Sequence, residues 1–146
     1  MELHRRLSIV DRVAKWGIVV QQECVICDTQ LEEKFDHIFF ACPYSKHVWS
    51  SLLNWLGYSR TIGDWNHEIQ WLIQRMGNSR PRASILGFCF AVAVYHIWAE
   101  RNGRRFSHQV MSSLARLKDI YIQLHLEGQR HSKWKSHLEQ LNSYPC

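Results

Sequence analysis

Four residues in the first third of the chain have the types and spacing of a metal site. Cys24-Val25-Ile26-Cys27 is followed by nine residues to His37 and four more to Cys42, giving C-x2-C-x9-H-x4-C. A CxxC pair brings two thiolates to one point through a tight turn, and the His/Cys pair supplies two further corners. Three sulfurs and one imidazole suit tetrahedral Zn²⁺ and leave no position for substrate. The site so predicted is structural and contributes folding energy directly. Cys42 also immediately precedes Pro43 at a predicted helix start, where the helix dipole favours a thiolate.

The same residues admit other readings. His47 is within reach of Cys42 along the chain and competes with His37. His37 is preferred because Phe39 and Phe40 beside it can wall the site, whereas His47 falls inside the following helix. Asp36 is a candidate hydrogen-bond partner for a ligand. A redox CxxC belongs at a helix start in a βαβ context, which the sequence lacks. Four unrelated buried Cys and His residues are the remaining alternative. Cys89 reads as a small core hydrophobe and Cys146 as a terminal thiol.

No catalytic constellation accompanies the cysteines, so a non-catalytic protein is expected. Asp11, Asp28, Asp36, Asp64 and Asp119 are mutually isolated, and two-metal nucleotidyl transfer needs clustered carboxylates. No nucleophile–base spacing or phosphate-binding glycine loop is legible. The charge is more informative. Residues 1–73 carry seven Lys/Arg against nine Asp/Glu, and residues 74–146 carry eleven against four. Such asymmetry points the second half toward an anionic partner, nucleic acid first, although a solvated basic face gives the same count. Arg101, Arg104 and Arg105 are the preferred phosphate contacts, clustered where the chain is expected to turn at Asn102-Gly103. Arg80, Arg82, Arg116 and Lys118, with Arg12 and Lys15, complete the candidate set.

Helices must position these groups. Ser8 can cap a first helix carrying Ile9, Val10, Val13 and Trp16, with Gly17 past its end. Pro43 opens a second through Val48, Trp49, Leu52, Leu53 and Leu56, ending at Gly57. Asp64 can cap a third with Trp65, Ile69, Leu72 and Ile73, stopped by Gly77-Asn78. Pro81 opens a fourth, from about Arg82 to Arg101. Its rows Ile85/Cys89/Ala93/Ile97 and Leu86/Phe90/Val94/Trp98 make it apolar on most sides, as a central helix is. Ser107 is a candidate cap for a fifth helix with the stripe Val110, Leu114, Leu117, Tyr121 and Leu124. A weaker helix covers Trp134 to Leu141. Ser59–Thr61, Gly77–Arg80 and Asn102–Arg105 read as turns. The expected fold is mostly α, a small domain of five to six helices with an irregular zinc-stapled segment near the N-terminus.

The chain has 146 residues, 46% hydrophobic and 21% charged, with seven tryptophans. That fits one compact body with a sizeable aromatic core. Five cysteines, an odd number, and no visible signal peptide point to a reducing, intracellular compartment, nuclear or cytoplasmic. The uncharged stretch from Ala83 to Ala99 falls short of a membrane span, which needs roughly 20 apolar residues.

Three segments resemble a known family, the reverse-transcriptase zinc-binding domain of plant LINE-type retrotransposon polyproteins. Arg6-Leu7-Ser8-Ile9-Val10-Asp11-Arg12-Val13-Ala14-Lys15-Trp16-Gly17-Ile18 resembles its lead-in helix. Asp36-His37-Ile38-Phe39-Phe40-Ala41-Cys42-Pro43-Tyr44-Ser45 with Val48-Trp49 resembles its core. Tyr95-His96-Ile97-Trp98-Ala99-Glu100-Arg101-Asn102 with Arg105-Phe106 resembles a segment found downstream. The resemblance covers about Arg5 to Phe106 and implies Cys24, Cys27, His37 and Cys42 as ligands of one structural Zn²⁺. It divides the chain into a zinc-binding helical domain, 1–106, and a helical extension, 107–146, packing on the same core. Met1 falls just before the lead-in helix, so the polymerase body is expected to be missing, leaving a stand-alone module or retroelement fragment. A zinc-stabilised nucleic-acid-binding module, for RNA or RNA/DNA, is the expected function. The alternative is a protein-interaction or dimerisation scaffold using the Val110–Leu124 stripe.

Overall fold

The computed structural model describes residues 16–17, 22–77 and 80–141. The predicted lead-in helix, and with it Lys15 and Arg12, lies outside the described residues, as does Cys146. Gly17 takes φ 77°, a left-handed conformation suited to a helix stop, while Trp16 is exposed.

Among the described residues the domain is mostly α-helical, as the punctuation predicts. Helix α1 spans Pro43–Trp55, starting with proline at its first turn after an extended Cys42. It buries Val48, Trp49, Leu52 and Leu53 and ends before Gly57 at φ 88°, where Tyr58 N–H donates to Leu53 O at 2.8 Å. Helix α2 spans Trp65–Met76, and the Asp64 carboxylate caps it by accepting from His67 N–H at 2.8 Å. Its buried face is Trp65, Glu68, Trp71 and Leu72, not the predicted row through Ile73, which is exposed. The shift has a cause: Glu68 turns inward to accept from Trp49 Nε1 at 2.9 Å, Arg60 at 2.5 Å and Gly63 N–H at 2.8 Å. A buried carboxylate with three donors is not visible in a hydrophobic pattern.

Helix α3, Pro81–Asn102, packs against α1, α2 and the two later helices, α4 (Ser113–Gly128) and α5 (Ser132–Glu139). It is the central element that its near-continuous apolar surface predicts. By length and composition α3 and its continuation to Ser107 could cross a membrane, contrary to the expectation that the stretch falls short. Ile85, Leu86, Cys89, Ala93 and Ile97 are instead buried among the other helices.

Two further expectations are corrected. Asn102–Arg105 is no open turn: a π-type turn, Gly103–Ser107, continues α3 until His108 reverses the chain at φ 53°. Ser107 therefore caps nothing, and Ser112 caps α4 by accepting from Ala115 N–H at 3.1 Å. Val110 and Leu114 are consequently exposed, whereas Leu117, Ile120, Tyr121 and Leu124 face the core. Of the stripe offered for a partner, Leu117, Tyr121 and Leu124 are thus occupied by the domain itself. Phe35, Phe39, Phe40, Trp49, Trp65 and Phe90 form an aromatic cluster, with Phe40 stacked on Trp65 at 5.8 Å and 13°.

Candidate metal centre

The metal hairpin is built from backbone hydrogen bonds rather than a sheet. Cys24 N–H donates to Leu31 O at 2.8 Å and Glu33 N–H to Gln22 O at 2.7 Å, with Gln30 at φ 58° turning the loop. This fold-back presents Cys24 and Cys27 on one side. The other pair comes from the turn His37–Ala41, in which Phe39 (φ −100°, ψ 91°) and Phe40 (φ 94°, ψ −13°) leave helical geometry. A bulky residue at positive φ is strained, and burial of the Phe40 ring against Trp49, Trp65 and Phe90 offsets that cost. The reversal lets Cys42 N–H donate to His37 O at 2.6 Å, so His37 and Cys42 face the same point. The Ser45 hydroxyl ties α1 to this turn by donating to Ile38 O.

One ligand atom each from Cys24, Cys27, His37 and Cys42 lies within 4.8 Å of all the others. A tetrahedron with Zn–S bonds of about 2.3 Å has edges of about 3.8 Å, so the four donors need only a small contraction. His37 presents Nε2, 3.3 Å from Cys27 Sγ, and Thr29 Oγ1 lies 3.0 Å from the same sulfur. Cys24, His37 and Cys42 are buried and Cys27 is half-buried. The Cys42 thiol hydrogen-bonds to Cys24 and lowers its pKa against the opposing effect of burial, helped by the amides of Ile26 and Cys27. The shared proton pushes Cys42 the other way. Donor chemistry, spacing and burial fit a closed four-ligand site. His47 is not part of it: its Nδ1 lies 2.7 Å from Ser113 Oγ, joining α1 to α4. Cys89 is buried in α3, where burial pushes its thiol up.

The arginines expected at an exposed turn are drawn inward. Arg101 is 2% exposed and donates to Glu33 Oε1 through Nε at 3.0 Å and Nη2 at 2.6 Å. Arg105 donates to Glu33 Oε2 at 2.7 Å and to Glu23 O at 3.1 Å. Arg104 donates to Glu100 at 3.1 Å and reaches Val25 O at 3.4 Å and Ile26 O at 3.1 Å, inside the CxxC turn itself. Arg116 also donates to Glu100, at 3.3 Å, and Met111 N–H completes that carboxylate. These cations are consumed in clamping the metal hairpin to the end of α3, because Glu33 and Glu100 supply buried counter-charges. Glu33 was not legible as their partner, since it sits 68 residues from Arg101 in an irregular segment. The Glu100/Arg104 spacing of four was a usable signal. Arg82 caps the end of α1, donating to Leu56 O at 3.3 Å and Gly57 O at 3.2 Å, with its guanidinium over Tyr58.

A closed Cys3His centre on a helical domain is the class of site defined here. Residues 1–49 match the family described as zinc-binding in reverse transcriptase. The match includes all four candidate ligands and ends before the Tyr95–Phe106 segment. No curated protein matches the chain, and no solved structure matches it.

Proposed function

We propose that the chain is a non-catalytic nucleic-acid-binding module stabilised by one Zn²⁺ held by Cys24, Cys27, His37 and Cys42. The observation that carries this reading is the closed donor set lying within a segment that matches a reverse-transcriptase zinc-binding family. A closed site organises the fold and leaves binding to the surface. The excess of cations after residue 73 supports an anionic partner. Because Arg101, Arg104 and Arg105 are occupied by carboxylates, the RNA-facing cations lie elsewhere on the second half. The test is RNA binding by the zinc-loaded chain across a salt titration. Affinity falling linearly in log salt is expected, and absence of RNA binding at low salt overturns the reading.

A protein-interaction role is the second reading, favoured by Tyr95 on α3 and Ile122 and Leu126 on α4, all exposed. Partner binding through them would be insensitive to salt.

A further inference from the structure

A cleft of about 310 Å³ opens where α5 begins against the start of α3, lined by Pro81, Ser84, Arg130, His131, Lys133 and Trp134. Its volume falls at the lower end of ligand pockets, about 300–1,000 Å³. Three features of its lining share one chemical preference. Arg130 and Lys133 bring two cations to the rim, and His131 brings a third when protonated. Ser84 and Ser132 add hydroxyl donors. Both helix starts border the cavity, and neither Arg80 nor His131, the residues at their N-cap positions, caps its helix with a side chain. The α5 start presents first-turn amide donors and the positive end of its dipole. At α3, Pro81 has no N–H and the Ala83 and Ser84 amides donate to Arg80 O, so that helix adds its dipole. One carboxylate opposes them: Glu127 lies 3.8 Å from Arg130 and 3.5 Å from His131. It offsets part of the positive charge without filling the cavity.

The wall is aromatic on one side. Trp134 is half-buried, its ring 5.6 Å from Phe88 and 4.7 Å from His131. A packed indole beside cations and hydroxyls matches the way a strand's phosphate and base are held together. Acidic peptides would use the cations but not this combination with a flat ring.

We propose that this cleft binds a phosphate group of a nucleic-acid strand, with Arg130 and Lys133 on the phosphate oxygens and Trp134 as the flanking platform. The proposal rests on the nucleic-acid reading above and supplies the contact surface that Arg101, Arg104 and Arg105 do not.

The experiment uses the zinc-loaded full chain in two arms. Inorganic phosphate is titrated while the amide resonances of Ser84, Ser132, Lys133 and Trp134 are followed by NMR. A single-stranded RNA oligonucleotide is titrated against wild-type, the double variant Arg130→Gln/Lys133→Gln, and Glu127→Gln. Phosphate should shift those four amides. The double variant should weaken RNA binding and lower its salt slope by about two units, one per lost contact. Glu127→Gln should tighten binding. Arg130 and Lys133 are exposed, and Glu127→Gln keeps the size of a half-buried side chain, so the fold should tolerate all three changes. RNA binding with unchanged affinity and slope in the folded double variant overturns the cleft while leaving the nucleic-acid reading intact. Phosphate shifts without RNA binding overturn the strand as ligand and, with it, the nucleic-acid reading. No shift and no RNA binding overturn both.

Discussion

Arg101 and Glu33 meet at 2.6 Å across 68 residues of chain, and both side chains are almost fully withdrawn from water. The pair joins the metal hairpin to the last turn of α3, and Arg105 closes on the second carboxylate oxygen. Arg101 also lies over the Trp98 ring at 4.9 Å and the Phe106 ring at 5.5 Å, so its charge is held by carboxylate and aromatic faces together. Among the described residues the hairpin has no sheet neighbour to lean on. These ion pairs fix its orientation beside the aromatic core.

Removing Glu33 should therefore be costly. Glu33→Ala leaves Arg101 buried without its carboxylate and should destabilise the domain by about 3–5 kcal/mol. The triple variant Glu33→Met/Arg101→Met/Arg105→Met removes all three charges of the cluster and should recover much of that loss, since apolar replacement of a buried ionic cluster is often neutral. Urea denaturation at saturating zinc measures both. Equal stability of Glu33→Ala and wild-type would show that the pair does not hold the hairpin.

The metal should be inseparable from the fold around α1. Cys42 is both a candidate ligand and the residue at the start of that helix, and Trp49 lies two turns further on, against Phe40. Elemental analysis should find one Zn²⁺ per chain. Cys27→Ser should abolish it and reduce hydrogen-exchange protection across 43–55, as should a strong chelator acting on wild-type. Zinc retained in full by the variant would overturn the ligand set.

Local chemistry made much of this molecule legible. Pro43 and Pro81 open helices, Asp64 caps one and Gly57 ends one, all through effects confined to a few residues. The candidate donor cluster was readable for the same reason: CxxC and HxxxxC are local constraints. What the sequence concealed were long-range polar pairings. Ile73 reads as inward-facing because Glu68 does not resemble a core residue until Trp49, Arg60 and Gly63 donate to it in the fold. Arg101, Arg104 and Arg105 looked like a surface cluster because their counter-charges, Glu33 and Glu100, are assembled only by the fold. Ser107 was a reasonable cap on spacing alone. The π-type continuation of α3 displaced the helix start by five residues, to Ser112.

The centre of the domain should reject charge. Val94 is buried on α3, which touches every other α-helix described here. Val94→Asp would place a carboxylate among apolar side chains at a cost of several kcal/mol, against a total stability of about 5–15 kcal/mol for an ordinary domain. Loss of the cooperative thermal transition is expected in calorimetry. A folded variant with wild-type stability would show that this face of α3 is not core.

Acidification should destabilise the α3–α4 interface through His96. Its Nε2 lies 3.1 Å from Gln123 Oε1 and its Nδ1 lies 3.4 Å from Arg116, so the neutral ring donates to the amide and accepts from the guanidinium. Burial lowers its pKa, the Gln123 hydrogen bond opposes that, and the Arg116 charge lowers it further. A protonated Nδ1 would lose its acceptor role and confront a cation. The unfolded chain takes up this proton more readily than the folded one, so the stabilisation is fully present above the ordinary histidine pKa and is lost as pH falls below it. Protons also compete for the metal thiolates, so wild-type alone does not isolate the effect. His96→Gln keeps an amide that can donate to Gln123 but cannot titrate. The difference in unfolding free energy between wild-type and His96→Gln, measured by urea denaturation from pH 7.5 down to 5.5, should move against wild-type as pH falls. A difference independent of pH would remove His96 as a source of acid sensitivity.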